Sequence, residues 1–387
     1  MIYDFNYHNP TKIYFGRDSI DYLNKELENY GTNILLVYGF GSIKKIGFYD
    51  QVINILKRAD KHIYELSGVM PNPTFAKLLE GCKMINDHHI DLILAVGGGS
   101  VIDLSKAISA SYNIKDPWTY YWEEHNPCVI DNIPVASILT IAGTGSESNG
   151  GSVITNEALK LKKGHVFESK VAPKFSILNP EITYSISIKQ LKSTSFDILS
   201  HLMEQYFSGH DDNVSDYLLE ALMKVVIKNL PLALNDLENY EVRSNLMWAS
   251  TMALNKITGV SKKQDWNVHC LEHQLGAYTD CSHGLGLAVI SRSYYRHLLV
   301  YAPDKFKRFA TNVFGIDDKQ KSDLQLAHEG IDALLAFLDH LEYPTTLRQL
   351  GCTEEMLSKI AESSDSDGSD YHQFTSDEYL DILKEVF

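Results

Sequence analysis

Cysteine is scarce in this chain, and long apolar runs are missing. The 387 residues include five cysteines, an odd number, and no two of them have Cys-x-x-Cys spacing. This pattern argues against a disulfide framework and favours reduced thiols. No segment approaches the roughly 18 uninterrupted apolar residues of a membrane span, and the amino terminus lacks the basic and apolar regions of a secretion signal. We therefore expect a cytoplasmic protein that does not cross a membrane.

Positive charge is also in deficit. The chain has 35 Lys and Arg residues against 50 Asp and Glu residues, which gives a net charge of -15. Such an acidic surface disfavours nucleic acid and anionic membranes as partners, and it favours a soluble protein. With 44% hydrophobic residues the chain can bury a sizeable core, and it is longer than one typical domain. Two domains are therefore expected.

Apolar strands alternate with helices in the first half, which is typical of a parallel sheet covered on both faces. From about Ile188 onwards the apolar residues recur at helical period. The sequence therefore predicts an α/β domain over residues 1–182 and an all-α domain over 183–387, with a solvated loop at 362–370. The predicted strands are Ile34–Tyr38, Ile63–Leu66, Asp91–Val96 and Pro134–Leu139, and the predicted helices include Asp50–Lys57, Phe75–Ile85, Val101–Ala110, Ser215–Asn229 and Leu324–Leu338.

A glycine-rich turn, Val96–Ser100, joins a predicted strand to a predicted helix. Gly98 and Gly99 would let the backbone approach a pyrophosphate, and the helix amino terminus offers unpaired N–H groups. Ser100 is a candidate cap of that helix, with Asp103 at the capping-box spacing. The alternative is structural, because a tight strand-to-helix turn needs glycine anyway. The spacing differs from the Gly-x-Gly-x-x-Gly fingerprint, so an ordinary Rossmann dehydrogenase is disfavoured.

Two further polar turns follow predicted strands. Thr140–Asn149 is dense in hydroxyls and glycine at a strand's carboxyl end, where open α/β sheets bind ligands; a flexible loop is the alternative. Gly39–Ser42 carries no acid of the kind that holds the ribose 2′-hydroxyl of NAD. Because Lys44 and Lys45 lie near Ser42, this turn suits a 2′-phosphate. We expect NADP(H) to be preferred over NAD(H).

Pairs of metal-ligand residues occur in the helical half. Asp197 and His201 lie four residues apart, so on a helix both side chains leave the same face. His269 and His273 repeat this spacing, and His283 follows. Each pair alone could be a surface contact or a polar face. Together one carboxylate and three imidazoles (Asp197, His201, His269, His283) make an oxygen and nitrogen site suited to Fe(II) or Zn(II), without thiolates that would close it.

The joint pattern resembles the iron-containing (group III) alcohol dehydrogenases, most closely the NADPH-dependent butanol dehydrogenase and aldehyde reductase branch. The similarity spans nearly the whole chain. It implies a dehydroquinate synthase-like fold, with an α/β amino-terminal domain, a helical domain and a catalytic metal. The motifs that carry it are Gly-Ser-Ile-Lys-Lys-Ile-Gly, Val-Met-Pro-Asn-Pro-Thr, Gly-Gly-Gly-Ser-Val-Ile-Asp, Ala-Gly-Thr-Gly-Ser-Glu-Ser-Asn, Asp-x3-His-x2-Glu-Gln-Tyr-Phe, Asp-Trp-x2-His-x2-Glu-His and His-Gly-x-Gly-Leu-Ala.

The resemblance also implies roles for individual residues. The four metal ligands are those named above, and His273 is a proton-relay candidate near the nicotinamide. A homodimer is expected from the family. The expected cofactor-binding residues are Gly39, Gly41, Ser42, Asn72, Gly98, Gly99, Ser100, Asp103, Thr140, Thr144 and Asn149.

One lysine of the pair Lys162 and Lys163 is expected at the active site. Counting forward from the Thr-Gly-Ser-Glu loop favours Lys162, whereas counting back from Pro173 favours Lys163. The chain departs from the family pattern at Thr194, where a glycine is usual, and this change is expected to crowd the cofactor cleft. A proline is also missing near Arg292, which is expected to alter substrate preference. Neither departure removes a metal ligand.

The implied activity is transfer of a hydride between NAD(P)H and small primary alcohols or aldehydes such as butanol and butanal. The metal would act as a Lewis acid on the substrate oxygen, and His273 would relay a proton through the nucleotide ribose. Polyol dehydrogenases of the superfamily are the main alternative, but they generally lack the aspartate and three histidines. His269–His273 also fits an inverted metallopeptidase motif, but a metallopeptidase would leave the glycine turns unexplained. A binding protein that senses a nucleotide or metal without turnover is a further alternative, and nothing in the sequence supports it.

Overall fold

The computed structural model describes residues 2–128, 132–167, 169–209, 213–364 and 370–387. The loop predicted at 362–370 lies largely outside these residues. Contacts divide the chain into two compact units, His8–Ile186 and Ser187–Phe387, and the second unit also includes Met1–Tyr7. The prediction had placed the first residues in the sheet domain. They group with the helical unit instead, where Tyr3 N donates to Ser261 O at 3.1 Å.

A six-stranded sheet forms the core of the first unit, in the order β1-β8-β5-β4-β2-β3, with every neighbouring pair parallel. The remaining two strands form an antiparallel hairpin. The strands are β1 (Lys12–Phe15), β2 (Asn33–Tyr38), β3 (His62–Leu66), β4 (Leu92–Gly97), β5 (Val135–Leu139), β6 (Gly151–Asn156), β7 (Leu161–Val166) and β8 (Phe175–Leu178).

The four predicted strands are confirmed as β2 to β5. Strands β4, β5 and β8 are buried along their whole length, because helices cover the parallel sheet. Strands β1 and β8 have only four residues each, too few for their side-chain pattern to show a period. The α-helices that the structure describes in this unit are α1 (Tyr22–Leu27), α2 (Ser42–Lys45), α3 (Phe48–Arg58), α4 (Phe75–His88) and α5 (Gly99–Ser111).

The three turns predicted to bind a nucleotide leave the sheet at one edge. They follow β2, β4 and β5, which are neighbouring parallel strands, so their carboxyl ends coincide. The register pairs Tyr38 with Val96 and Gly97 with Leu139. Thr140 N then donates to Gly97 O at 2.9 Å, which joins the second turn to the first.

The second unit is helical, as predicted, and its described residues contain no strand. A capping box starts α6: Ser187 Oγ accepts from Gln190 N, and the Gln190 side chain accepts from Ser187 N. No described helix is both long and apolar enough to cross a membrane. The helices are α6 (Ile188–Tyr206), α7 (Val214–Asn235), α8 (Tyr240–Leu254), α9 (Asn267–Thr279), α10 (His283–Leu298), α11 (Pro303–Asn312), α12 (Asp323–His340), α13 (Glu354–Ser363) and α14 (Ser376–Glu385).

Candidate metal and nucleotide sites

One face of α6 organises the candidate metal site. Ser193, Asp197, His201 and Glu204 are spaced by four, four and three residues, so their side chains leave the helix on one side. All four are buried. Asp197 and His201 are predicted ligands. The other two contact the helices that carry the remaining predicted ligands.

Imidazoles from three helices surround one oxygen of Asp197. The Nε2 atoms of His201 on α6, His269 on α9 and His283 at the start of α10 lie 3.4, 3.6 and 3.5 Å from Asp197 Oδ1. The ligand atoms of Asp197, His269 and His283 also lie within 4.8 Å of one another. The predicted residues are therefore brought together within a single unit of the fold.

The donor set fits a divalent ion. Asp197 Oδ1 and His269 Nε2 are buried, and neither makes a hydrogen bond with any residue that the structure describes. Buried polar atoms are normally satisfied, so these two atoms are suited to a ligand. The carboxylate and imidazole donors, without a thiolate, are those that Fe(II) and Zn(II) accept.

Charge in the pocket favours a cation. Burial alone would raise the pKa of Asp197, but the imidazoles of His201, His283 and His269 lower it below its usual range. Burial alone would lower the pKa of His269, but Glu204 and Asp197 raise it to about 10. The buried carboxylates thus favour positive charge at this position, which either protons or a metal ion can supply.

Two buried carboxylates contact the imidazoles of predicted ligands at Nδ1, the nitrogen that does not face Asp197. The sequence analysis did not assign either of them. Glu204 pairs with Nδ1 of His269, and Glu272 on α9 pairs with Nδ1 of His283. Helical geometry directs Glu272 to a different face from His273, which gave no reason to assign it a role, but its carboxylate reaches across to α10 and pairs with His283. Glu204 had a signal in the sequence, since it lies seven residues after Asp197 on the same face. Glu272 lies three residues after His269.

Close packing explains the His-Gly-x-Gly motif at the start of α10. A Cβ on Gly284 would lie 1.8 Å from Ser193 O, and a Cβ on Gly286 would lie 2.8 Å from Glu272 Cγ. The Ser193 hydroxyl accepts from Gly284 N at 3.1 Å and so satisfies a first-turn N–H of α10. The two glycines let α10 approach both α6 and Glu272, which places His283.

His273 lies beside the ligand cluster. It follows His269 by one helical turn, and its ring centroid is 6.0 Å from that of His269 and 5.6 Å from that of His283. The side chain is half-buried. This position is compatible with the predicted proton relay, which stays a prediction.

In the first unit, the glycine-rich turn packs closely on the second polar turn. A Cβ on Gly99 would lie 2.4 Å from the Thr144 side chain, so this contact requires glycine. The predicted cap is wrong: α5 already begins at Gly99 with Gly98 as its N-cap, and the Ser100 hydroxyl donates to Pro71 O. Ser100 lies inside the helix because α5 begins two residues earlier than predicted.

Asp103 and Asn149, both predicted to bind the cofactor, hold the second turn in place. Asp103 Oδ1 accepts from Ser146 Oγ at 2.5 Å, and Oδ2 accepts from Val153 N at 3.0 Å. Asn149 Nδ2 donates to Gly145 O at 2.8 Å. Through these hydrogen bonds both side chains stabilise the second turn. Their direct contact with a cofactor stays a prediction.

Lys106, which the sequence analysis did not assign, is a buried cation behind the same turn. Its Nζ donates to Ser146 O at 3.0 Å and to Asn149 Oδ1 at 3.2 Å, and it lies 3.5 Å from Asp103 Oδ1. Burial lowers its pKa, and Asp103 opposes that effect. A lysine inside the apolar stretch Val101–Ala110 was the signal in the sequence.

The turn after β2 contains the remaining predicted cofactor residues. Gly41 has φ 109°, a conformation that favours glycine. Lys44 Nζ lies over the rings of Tyr38 and Tyr49, at 4.9 and 4.3 Å. Both tyrosine hydroxyls donate to Glu65 near the end of β3, at 2.6 and 3.0 Å. The sequence analysis found no acid after β2, but the neighbouring strand places a carboxylate beside this turn.

Asn72 and the lysine pair take different positions in the first unit. Asn72 is buried in the segment before α4. Lys162 and Lys163 are adjacent in β7, so their side chains leave opposite faces of the hairpin. Lys162 is 5% exposed, whereas Lys163 is only partly buried. Lys162 is therefore the more enclosed of the two.

Comparison with known proteins covers both units. Residues 10–180 match the model of the family described as iron-containing alcohol dehydrogenase, and residues 192–387 match the C-terminal model of the Fe-containing alcohol dehydrogenase family. The chain belongs to the iron-containing alcohol dehydrogenases. As a member of the butanol dehydrogenase and aldehyde reductase branch, it is a metal-dependent alcohol dehydrogenase or aldehyde reductase that uses NAD(P)H. The predicted family, fold class and reaction type are confirmed.

Individual relatives match along the whole enzyme. It is 41% identical over 387 residues to "Probable NADH-dependent butanol dehydrogenase 1" of Bacillus subtilis, covering 98% of this chain and 99% of the relative. It is 32% identical to the NADPH-dependent aldehyde reductase YqhD of Escherichia coli, covering 99% and 98%. The crystal structure of NADH-dependent butanol dehydrogenase A from Thermotoga maritima superposes with a TM-score of 0.93 at 32% identity, covering 100% and 99%.

Proposed function

We propose that this enzyme reduces short straight-chain aldehydes to primary alcohols with a nicotinamide coenzyme and one divalent ion, Fe(II) or Zn(II). Asp197, His201, His269 and His283 hold the ion. The observation that carries this proposal is the convergence of three imidazole Nε2 atoms on Asp197 Oδ1. When bound, the ion supplies a Lewis acid for the substrate oxygen, and the nicotinamide supplies the hydride.

The residues of the chain orient the reactants and move the proton. The glycine-rich turn and the turn after β5 present backbone N–H groups and hydroxyls, including Thr140 and Thr144, to the coenzyme pyrophosphate and nicotinamide. His273 in its protonated form delivers the proton that the product alkoxide needs and recovers one from solvent, because imidazoles gain and lose protons near pH 7. Lys162 lies in the active site. Its enclosure in β7 supports it over Lys163.

NADP(H) is the preferred coenzyme under this proposal. Ser42 and the exposed Lys45 offer a hydroxyl and a cation to a 2′-phosphate, and the turn Gly39–Ser42 contains no acid. Glu65 opposes this preference by placing a carboxylate nearby, and two similar butanol dehydrogenases of Bacillus subtilis carry NADH in their names. We also propose that the enzyme is cytoplasmic and forms a homodimer. Light scattering at several protein concentrations tests the oligomeric state.

Steady-state kinetics test the function and the coenzyme together. Aldehydes from acetaldehyde to hexanal are reduced with NADPH and with NADH, after anaerobic reconstitution with Fe(II) or Zn(II). We expect metal-dependent turnover, a higher kcat/KM with NADPH, and a loss of that preference in Ser42→Asp. Glycerol and other polyols serve as the competing substrates. A higher kcat/KM for polyols would favour a polyol dehydrogenase, and equal kcat/KM for both coenzymes would contradict the NADP(H) preference.

A further inference from the structure

Glu272 is placed to control the orientation of His283. Its carboxylate is fully buried on α9 and pairs through Oε2 with Nδ1 of His283 on α10. Gly286 leaves the space for this carboxylate, since a Cβ there would lie 3.2 Å from Glu272 Oε1. A buried charge is costly unless it is paired and hydrogen-bonded. The packing of α9 against α10 therefore fixes the position of the Glu272 carboxylate.

Glu204 holds His269 in the same manner from α6. It is 1% exposed, pairs with Nδ1 of His269 and accepts from His269 N at 3.1 Å. Ser200 Oγ donates to Glu204 Oε1 at 2.9 Å and fixes the carboxylate from its own helix. One side chain thus locks both the backbone and the ring of His269.

The pairing with a carboxylate has the same effect on the rings of His269 and His283. When Nδ1 of a neutral imidazole donates to a carboxylate, Nε2 carries the lone pair, and a metal can accept it. In both residues Nε2 is the atom that lies near Asp197 Oδ1, at 3.6 Å for His269 and 3.5 Å for His283. The carboxylates therefore select both the tautomer and the ring direction that metal binding requires.

We propose that Glu204 and Glu272 are positioning residues, which set the tautomer and orientation of His269 and His283 and so determine the affinity of the site for its ion. This proposal rests on the proposed metal site. It assigns each carboxylate to one histidine: Glu204 acts on His269, and Glu272 acts on His283. Partners of this kind typically contribute about 10- to 100-fold to metal affinity.

The test measures metal binding rather than turnover. Metal-free wild type, Glu204→Gln and Glu272→Gln are titrated with Zn(II) against a competing chelator, and with Co(II) while its visible absorption is recorded. We expect both variants to bind about 10- to 100-fold more weakly and to change the Co(II) spectrum. Glu220→Gln is the matched control. That carboxylate is also buried, but it pairs with Tyr206, Arg308 and Asn312 rather than with the predicted ligands.

A second measurement assigns each carboxylate to its histidine and separates orientation from loss of folding. In the Zn(II)-loaded protein, the Nδ1-bound protons of His269 and His283 are expected as separate downfield proton resonances. Glu204→Gln should shift only the first and Glu272→Gln only the second, with the circular dichroism of wild type. Wild-type affinity and spectra in both variants would overturn the inference. Failure of wild type itself to bind an ion would instead overturn the proposed function.

Discussion

At the residue scale, burial separates the predicted ligands His201 and His269 from the predicted relay His273, whereas the predicted ligand His283 is half-buried as His273 is. His269 and its partners Asp197 and Glu204 are buried, whereas His273 is half-buried one turn away. The sequence predicted these residues because spacing by four on a helix is visible in a single segment. It did not predict the carboxylates behind the rings, because those contacts cross from α6 to α9 and from α9 to α10.

Substitution separates binding of the ion from proton transfer. Asp197→Ala removes the oxygen that three imidazoles face, so we expect the purified protein to contain no metal. His273→Ala should keep the metal content of wild type and slow aldehyde reduction by about a hundredfold or more, the usual contribution of a positioned acid. Elemental analysis and single-turnover kinetics check both variants. Equal loss of metal in the two proteins would refute this division of roles.

At the element scale, helix α10 depends on the absence of a side chain at Gly284. Gly284→Ala would place Cβ 1.8 Å from Ser193 O, which is backbone and cannot rotate away. We expect weaker Zn(II) binding and a lower unfolding temperature, because α10 must move and carry His283 with it. Gly164→Ala is the control, since its Cβ would meet only Val153 Cγ2, at 3.8 Å. Wild-type metal affinity in Gly284→Ala would contradict this account.

Buried charge holds the turn after β5. Lys106→Met removes the cation that bonds Ser146 O and Asn149 Oδ1 and leaves Asp103 without its ion pair. We expect unfolding free energy to fall by about 3–5 kcal/mol and NADPH to bind more weakly, because Thr144 lies on this turn. Lys77→Met, which breaks an exposed pair with Glu80, should change stability by about 0.5 kcal/mol or less. Urea unfolding and coenzyme fluorescence titrations provide the comparison, and equal effects of the two substitutions would contradict it.

Some strands and helices could be predicted from the sequence, and others could not. Buried strands such as β4 and long amphipathic helices such as α12 have composition and periodicity that show in the sequence. Strands β1 and β8 are too short to do so, and β7 contains two lysines and a glycine. The start of α5 was misplaced because both glycine and serine are common N-cap residues, so the sequence alone does not decide between Gly98 and Ser100.

At the scale of the whole molecule, each unit holds a separate set of the predicted site residues. The sheet unit gathers three polar turns at the carboxyl edge of β2, β4 and β5. The helical unit alone supplies the aspartate and three histidines. The division into two units was predictable because the apolar pattern changes from alternating strands and helices to helices alone. The grouping of the first residues with the helical unit was not, since it rests on contacts such as that of Tyr3 with Ser261.

The central claim is that one ion, held by the helical unit, is required for hydride transfer. The most direct measurement titrates metal-free enzyme anaerobically with Fe(II) or Zn(II) and records NADPH oxidation by butanal at each addition. The account predicts activity that rises linearly and stops at one ion per chain, with no rise in Asp197→Ala. Full activity of the metal-free enzyme, or activation of Asp197→Ala to the level of wild type, would contradict it.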